Sequence, residues 1–241
     1  MKAKLLVAFL LFLFPSSFCK HIFSLFKLTN IHLGNGCRIG FSIIISPQIN
    51  IGDNAHIGHL NFVRVNSFYL GPGGGIKYFN MIKGKIDVVL EFGCSIHSFN
   101  KVSGWSVYKP NYFVVGKNSQ IVLRHLFNVS DSIEIGESTC LAGAGTQIWT
   151  HSYLFGKEKH IRVDGSVKIG SNCYIGSRVV ICPGVTITDN VMIGANTTIS
   201  KDIEKPGLYV SQPIRYIEYD PDEQIKALGD EVSPGICRKT E

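Results

Sequence analysis

A strict period of six residues is the feature that most limits how this chain can fold. Isoleucine occupies every sixth position between Ile169 and Ile199 without a miss, and small or β-branched residues stand two positions earlier in each unit. Helices and coiled coils repeat at about 3.6 and 3.5 residues, so neither accommodates a strict period of six. A short fixed period predicts a solenoid of stacked, similar units. The ladder consists of Ile169, Ile175, Ile181, Ile187, Ile193 and Ile199.

Each hexapeptide is long enough for one short strand and one bend, so three of them make a triangular coil of about 18 residues. The aliphatic residue then points inward and stacks on its counterpart in the next coil, about 4.8 Å away. Gly or Asn in the bend tolerates left-handed backbone geometry. The same register is predicted near the start, with a weaker and shifted version in the middle of the chain. The first set is Leu33, Ile39, Ile45, Ile51, Ile57 and Val63; the second is Leu123, Val129, Ile135 and Leu141.

Two segments interrupt the repeat, at residues 97–111 and 152–166. Insertions into a solenoid become loops that project from one face, and these loops frequently carry the binding site. The prediction is therefore an all-β solenoid over residues 29–210 with two projecting loops.

Composition supports a globular chain and excludes several classes of function. Hydrophobic residues make up 45% of the 241 residues, charged residues only 17%, and 25 glycines indicate many tight turns. The net charge of +6 suits an anionic ligand, but the basic residues are scattered, so nucleic acid is not expected as a partner. Seven cysteines without a CxxC pair indicate reduced thiols rather than a disulfide framework or a zinc ribbon.

The two ends of the chain depart from the repeat. Lys2 and Lys4 precede an apolar run from Leu5 to Phe14, and basic and apolar residues alternate at helical spacing after it. Residues 1–28 are therefore predicted to form an apolar and basic helical segment that lies on a membrane surface, with a cleaved signal peptide as the alternative. Residues 211–241 are predicted to cap the solenoid, with a short helix from Asp220 to near Gly229.

Three stretches carry a resemblance to a known family. They are QIWTHS at 147–152, VKIGSNCYIGSRVVICPGVTI at 167–187, and SKDI followed by SQPIRYI within 200–217. The chain from about Ile133 to Ile217 resembles the hexapeptide-repeat acyltransferases, in particular the branch similar to maltose acetyltransferases and to capsule and colanic-acid acetyltransferases. The resemblance implies a left-handed parallel β-helix, a homotrimer, and acyl-CoA bound in the groove between neighbouring solenoids. It also implies transfer of an acetyl group from acetyl-CoA to a sugar hydroxyl in polysaccharide or glycan biosynthesis.

The resemblance assigns the catalytic base to His151, because this residue stands where the family has its catalytic histidine. A neutral imidazole can take the proton of a sugar hydroxyl as that oxygen attacks a thioester. Trp149 and His160 are the candidate acceptor-binding residues, since an indole can stack on a sugar face. No carboxylate in the nearby sequence indicates what orients the imidazole.

The resemblance also supplies the residues of the donor site. Gly176 and Ser177 match the bend along which the family binds the pantetheine arm of CoA. Ala195 matches a position that lines the same groove one coil later. Lys201 and Arg215 match basic positions near the phosphates of CoA. The family's Gly-Asn-Pro-Ala run before that arginine is replaced here by residues 211–214, Ser-Gln-Pro-Ile.

Other functions remain as alternatives to O-acetylation. A γ-type carbonic anhydrase needs a His-x4-His pair, whereas His56 and His59 are only three positions apart, so no metal site is expected. A nucleotidyltransferase needs a phosphate loop, and the glycines at 71–75 lack the following Lys-Ser/Thr. A non-enzymatic scaffold and an N-acetyltransferase for amino sugars are the remaining alternatives. Because acyl-CoA is cytosolic, the expected location is the cytoplasm, with peripheral contact to the inner face of the cell membrane.

Overall fold

Three parallel sheets form the fold. The computed structural model describes residues 30–105, 110–211, 231–233 and 236–237, together with Phe9, Leu11, Leu13, Phe14, Phe18, Cys19, His21 and Ile22. Up to residue 199, successive strands of the solenoid belong to sheets A, B and C in turn, and one further strand, Gly207–Tyr209, joins sheet B. The three sheets contain eight, nine and eight strands. The parallel β-solenoid predicted from the period of six is confirmed.

Sheet A contains β1 (Ile31–Leu33), β4 (Gln48–Ile51), β7 (Ser67–Leu70), β10 (Ile86–Leu90), β13 (Asn111–Val115), β16 (Ile133–Ile135), β21 (Val167–Ile169) and β24 (Thr186–Ile187). Sheet B contains β2 (Arg38–Ile39), β5 (His56–Ile57), β8 (Gly75–Ile76), β11 (Ser95–Ile96), β14 (Gln120–Leu123), β17 (Cys140–Ala144), β22 (Tyr174–Ile175), β25 (Val191–Ile193) and β27 (Gly207–Tyr209). Sheet C contains β3 (Ile43–Ile45), β6 (Phe62–Arg64), β9 (Met81–Gly84), β12 (Lys101–Gly104), β15 (Leu126–Asn128), β18 (Gln147–Trp149), β23 (Val180–Ile181) and β26 (Thr198–Ile199). We call the bends between consecutive sheets the A–B, B–C and C–A edges.

The isoleucine ladder fills the interior as predicted. All six of its members are buried, the most exposed being Ile199 at 7%. In neighbouring coils Ile175 aligns with Ile193, and Ile181 aligns with Ile199. Burial of each such side chain contributes about 1.5–3 kcal/mol relative to exposure. The ladder therefore explains why the C-terminal coils keep the period without interruption.

The middle coils are longer than three hexapeptides, which the sequence pattern did not reveal. Val88 aligns with Phe68, twenty residues earlier, whereas Ile187 aligns with Ile169, eighteen residues earlier. The predicted register also slips at one N-terminal position, because Ile44 is fully buried while Ile45 is only half-buried.

A second interior feature, a ladder of polar side chains, lies just inside the B–C edge. Asn80 donates its backbone and side-chain N–H groups to Asn61 Oδ1, at 2.9 and 3.0 Å, and Asn100 repeats the pattern on Asn80 Oδ1 at 2.9 and 3.2 Å. These residues are buried, so each amide satisfies the backbone of the next coil where water is excluded. The members of this polar ladder are Ser42, Asn61, Asn80, Asn100, His125 and Thr146.

His125 occupies one rung of the polar ladder in a single protonation state. Its Nδ1 accepts the backbone N–H of Thr146 at 3.1 Å, and its Nε2 lies 3.2 Å from the carbonyl oxygen of Leu141. An accepting Nδ1 leaves Nε2 as the protonated nitrogen, which donates to Leu141. Burial lowers the pKa of His125 from 6.5 to about 4.

The projecting loops and the termini agree only in part with the sequence analysis. Residues 152–166 do project, as the antiparallel hairpin of β19 (His151–Phe155) and β20 (His160–Asp164). The other insertion is shorter than predicted, because Lys101–Gly104 is the regular strand β12 of sheet C. The helical segment predicted for residues 1–28 is not supported, since only eight scattered residues of it are described.

The C-terminal prediction falls on a separate unit of the chain. Contacts divide the chain into Met1–Ser211 and Gln212–Glu241. The closing helix predicted from Asp220 lies outside the described residues, and the described part of this unit is the antiparallel pair β28 (Glu231–Ser233) and β29 (Ile236–Cys237). Within the described part of the chain, no helix has the length and apolar character needed to cross a bilayer.

His125 predicts a specific dependence of stability on pH. The unfolded chain binds a proton at this residue below about pH 6.5, whereas the folded chain does not until about pH 4. Unfolding therefore takes up a proton in this window, and the free energy of unfolding should fall by up to about 3 kcal/mol as the pH drops through it. Denaturant titrations between pH 7 and pH 4 measure this loss.

The matched variant is His125→Asn, which continues the polar ladder with an amide that does not titrate. Its free energy of unfolding should lose less between pH 7 and pH 4 than that of the wild type. An identical pH dependence in the two proteins would contradict the assignment to His125.

Candidate functional site

His151 lies at the base of the projecting hairpin, on the C–A edge. The chain leaves sheet C at the end of β18, and His151 is the first residue of β19, where it pairs with Asp164 of β20. The side chain is half-buried against the end of the solenoid strand. A position that is both anchored and partly open is what a residue needs to meet a bound substrate.

Asn128 holds the imidazole of His151 in one orientation. The Nδ1 atom of His151 lies 2.9 Å from Asn128 Oδ1. The same amide oxygen accepts the backbone N–H of Ser130 at 3.3 Å, which identifies it as an acceptor. Nδ1 of His151 must therefore carry the proton, and Nε2 keeps a free lone pair. This tautomer leaves Nε2 ready to accept a proton from a substrate.

Nearby charges and burial keep His151 in its neutral form. Burial lowers the pKa of His151, the positive charge of Arg162 lowers it further, and the carboxylate of Asp164 partly opposes them. Arg162 and Asp164 are paired with each other through an Nε to Oδ1 contact of 2.8 Å. Near neutral pH the imidazole is consequently unprotonated at Nε2 and can act as a base.

Aromatic rings flank His151 along the outer face. The rings of Trp149 and Tyr153 meet the imidazole edge-on, with centroid distances of 6.1 and 5.8 Å. Trp149 aligns with Asn128 in the adjacent strand, and its indole N–H donates to Gln147 at 3.1 Å. The structure thus brings Trp149, Asn128 and His151 together.

His160 is placed at the opposite end of the hairpin from His151. It pairs with Phe155 near the tip, where the two rings are 4.4 Å apart, and its side chain is exposed. Because His151 pairs with Asp164, four ladder steps of about 3.4 Å separate the two histidines. Within one chain, therefore, His160 lies too far from the imidazole of His151 to contact it.

Three of the residues predicted for the donor site, Gly176, Ser177 and Ala195, form a column of small residues on the B–C edge. Gly176 donates its N–H to Ile193 at 2.8 Å, and the N–H of Ala144 reaches Ser177 Oγ at 3.4 Å. A Cβ at position 176 would come within 2.8 Å of the backbone of Ala195, so the close stacking there requires glycine. The column of small residues continues upward in Gly143, Ala144 and Gly145, which the sequence analysis did not single out.

The other predicted donor residues occupy different places. Lys201 is exposed on the C–A edge, directly after β26. Both β26 and β18, the strand that precedes His151, belong to sheet C. Arg215 lies outside the described residues. In one chain, sheet C separates His151 from the column of Gly176, Ser177 and Ala195. Among the residues described, no group of three or more His, Cys, Asp or Glu side chains could hold a metal ion.

Comparison with known proteins gives the repeat an independent match. The family model described as bacterial transferase hexapeptide (six repeats) matches residues 166–201. Galactoside O-acetyltransferase of Escherichia coli strain K12 is 32% identical over 114 residues, which make up 47% of this chain and 54% of that protein. YvoF of Bacillus subtilis strain 168, whose name also carries the word acetyltransferase, is 31% identical over 47% of this chain and 64% of its own length. The resemblance to hexapeptide-repeat acyltransferases that the sequence predicts is confirmed.

The similarity to these proteins covers only part of their length or is low in sequence identity. The chain spans less than two thirds of the length of the curated relatives it matches. A solved structure, the polySia specific acetyltransferase NeuO, aligns with 81% of this chain and 91% of that chain, at 15% identity and a TM-score of 0.42. A likeness this distant adds no functional conclusion.

The role of Asn128 can be tested without measuring catalysis. In Asn128→Leu the acceptor for Nδ1–H is gone, so the imidazole of His151 should change from one tautomer to a mixture. Asn128→Asp should keep the Nδ1–H tautomer and raise the pKa of His151 by about one unit or more, because a carboxylate stabilises the imidazolium. Nitrogen NMR shifts of the imidazole report both changes.

The resonances of His160 serve as the internal control, since its ring lies at the far end of the hairpin. An unchanged tautomer of His151 in Asn128→Leu would show that another group orients the ring.

Proposed function

We propose that the chain is an acyl-CoA-dependent O-acetyltransferase that transfers an acetyl group from acetyl-CoA to a sugar hydroxyl in glycan or polysaccharide biosynthesis. The observation that carries the proposal is His151, held neutral with a free Nε2 lone pair at the point where the family has its catalytic base. Support comes from the matched hexapeptide repeat and from relatives that are named as acetyltransferases, one of them a galactoside O-acetyltransferase.

In the proposed reaction, Nε2 of His151 removes the proton of the acceptor hydroxyl while its oxygen attacks the thioester carbonyl of the donor. The C–O bond forms, the tetrahedral intermediate collapses, and the C–S bond breaks to release the thiolate of CoA. The imidazolium then returns the proton to that sulfur, so the base is regenerated. Throughout the reaction, the Nδ1–H group of His151 donates a hydrogen bond to Asn128 Oδ1. This bond becomes charge-assisted when the imidazolium forms, and it stabilises that cation.

The donor would lie along the small residues of the B–C edge. Ser177 and Ala195 present small side chains at the surface of this column, and the buried Gly176 lets the two coils stack closely beneath them. Lys201 and Arg215 would neutralise the phosphates of CoA. Because sheet C separates this column from His151 within one chain, a site made of both requires the B–C edge of one copy to face the C–A edge of another. This requirement supports a homotrimer of left-handed solenoids, which is the assembly of the hexapeptide-repeat acyltransferases that the chain resembles.

The acceptor would bind over the outer face next to His151. Trp149 offers a ring face beside the imidazole, and His160 could reach an acceptor only from the tip of the hairpin, so its contribution belongs to binding. An amine acceptor, as in an N-acetyltransferase for amino sugars, would use the same base. The location that we propose is cytoplasmic, where acyl-CoA is available, with residues 1–28 held at the inner face of the membrane.

His151→Ala tests the proposal most directly. Loss of the base should lower kcat by about 10²–10⁴-fold while CoA binding and the fold persist. In the wild type, kcat/KM should rise with pH through the lowered pKa of His151, and this rise should vanish in the variant. Release of CoA with sugar acceptors measures both, and a parallel assay with amino sugars separates O-transfer from N-transfer.

His160→Ala is the matched control and should cause a smaller loss, mainly in acceptor affinity. If His160→Ala abolishes turnover and His151→Ala does not, the base is His160. If neither matters, the non-enzymatic scaffold replaces the enzyme as the explanation.

The donor site is tested by Lys201→Ala and Arg215→Ala. Phosphates are remote from the reacting thioester, so each variant should raise the KM for acetyl-CoA more than it lowers kcat. Loss of a charge-assisted contact of about 1–3 kcal/mol corresponds to roughly a 5- to 150-fold change in KM. Lys205→Ala, an exposed lysine four residues after Lys201, is the control and should leave the KM unchanged. If dephospho-CoA and CoA respond identically to Arg215→Ala, that residue does not contact the 3′-phosphate.

A further inference from the structure

A row of exposed apolar side chains runs along the B–C edge of the N-terminal coils. We call this row the apolar edge; its four members, one per coil, are Phe41 (56% exposed), Leu60 (58%), Phe79 (49%) and Phe99 (48%). Phe79 and Phe99 stack face to face, with centroids 4.9 Å apart and ring planes within 4°. The guanidinium of Arg124 lies over Phe99 at 5.7 Å and ends the row.

Three members of the apolar edge are held in a backbone conformation that suits other residues better. Leu60, Phe79 and Phe99 have φ values of 60°, 58° and 62°. Left-handed geometry costs an ordinary side chain roughly 1–2 kcal/mol, and bulky residues are outliers there. The corresponding bends of the A–B edge use mostly glycine and asparagine, as in Gly73 and Asn54. The same conformation recurs in the B–C bends at Arg124, Arg178 and Asn196, so the bend itself requires it. Folding would be served better by asparagine or glycine at these positions, and the exposed apolar side chains therefore call for a role outside folding.

Charges are distributed unequally around the same coils. Over residues 30–105 the three carboxylates, Asp53, Asp87 and Glu91, all lie on sheet A or the A–B edge. The six cationic side chains all lie on sheets B and C or on the edges that flank sheet C. They are Arg38, Arg64, Lys77, Lys83, Lys85 and Lys101. The apolar edge is thus bordered by positive charge and faces away from the negative charge.

We propose that the apolar edge docks the N-terminal coils onto an anionic membrane surface, with Phe41, Leu60, Phe79 and Phe99 entering the headgroup region. Exposed apolar side chains with basic neighbours are the combination that binds the interface of bilayers containing acidic lipids. A convex row of side chains fits a bilayer, which deforms around it, better than it fits a rigid ligand.

Two other occupants fit less well. A glycan would stack on the faces of aromatic rings, but Phe79 and Phe99 cover each other's faces, and His59 and Tyr78 beside them are also stacked, at 6.2 Å and 3°. The proposed function places a second copy against this same edge only at the C-terminal coils, beside Ser177 and Ala195. A stable contact at the N-terminal coils by themselves would need about 800 Å² on each partner. Four half-exposed side chains offer only about 400 Å².

The test uses the full chain and vesicles with and without phosphatidylglycerol in a phosphatidylcholine background. The triple variant Leu60→Asn, Phe79→Asn, Phe99→Asn places a residue suited to φ near 60° at each strained bend, so thermal stability should be equal or higher. Its partitioning onto the acidic vesicles should fall at least about tenfold, because apolar area no longer enters the bilayer. Lys77→Glu should weaken binding to acidic vesicles only.

Phe92→Asn is the matched control for Phe79→Asn, since Phe92 is 54% exposed on the opposite, A–B edge beside Glu91. It should bind vesicles as the wild type does, whereas Phe79→Asn alone should already bind more weakly. Contact is checked directly with Phe79→Trp: brominated lipids should quench the added fluorescence, measured against the wild type with its native Trp105 and Trp149. Tyr112→Trp on sheet A should not be quenched.

Three outcomes would overturn the proposal. Equal vesicle binding by the wild type and the triple variant would show that residues outside the apolar edge bind the membrane. A loss of oligomer mass in the triple variant by light scattering would make the edge a contact between copies. Retained vesicle binding together with lost binding of oligosaccharides would make it a glycan site. Each readout is independent of acetyl transfer, so its failure is distinguishable from failure of the proposed function.

Discussion

Stacking of one buried aliphatic side chain on another, strand after strand, is the interaction on which the rest of this structure depends. Very short strands, several of them only two residues long, cannot hold a sheet by themselves. Ile175 and Ile181 are fixed because each side chain is enclosed by its counterparts in the adjacent coils and by the facing sheets. Parallel hydrogen bonding then follows from the fixed register, and every coil presents the same backbone to the next. The interior therefore leaves little freedom to the sequence.

The edges are where the sequence retains choice, and they account for the differences between regions of the molecule. On the B–C edge the C-terminal coils carry the small residues Gly176, Ser177 and Ala195, whereas the N-terminal coils carry the exposed Leu60, Phe79 and Phe99. The backbone path is nearly the same in both regions. The same edge thus carries small residues near the C-terminal end of the solenoid and exposed apolar side chains near its N-terminal end.

The sequence predicts those parts of the fold that obey a local rule. The strict isoleucine period identifies the solenoid and the C-terminal core, and the interruption at residues 152–166 locates the hairpin. The coils of twenty residues and the polar ladder could not be predicted, because Asn61, Asn80 and Asn100 look like ordinary bend residues until their amides are seen to bond across coils. Their periodicity of nineteen and twenty residues is a signal that can be read only after the coil length is known.

The same reasoning explains why His151 could be predicted and its partner could not. His151 stands in a local motif, QIWTHS, so the chain around it is sufficient to identify it. Asn128 precedes it by twenty-three residues and reaches it only because β15 and β18 are neighbours in sheet C. The atom that sets the tautomer of His151 comes from the preceding coil, so the chemistry of this motif depends on the register between the two coils. A shift of one residue in β15 would turn Asn128 from the outer face towards the interior and bring Phe127 to the outer face. Nδ1 of His151 would then lack this acceptor.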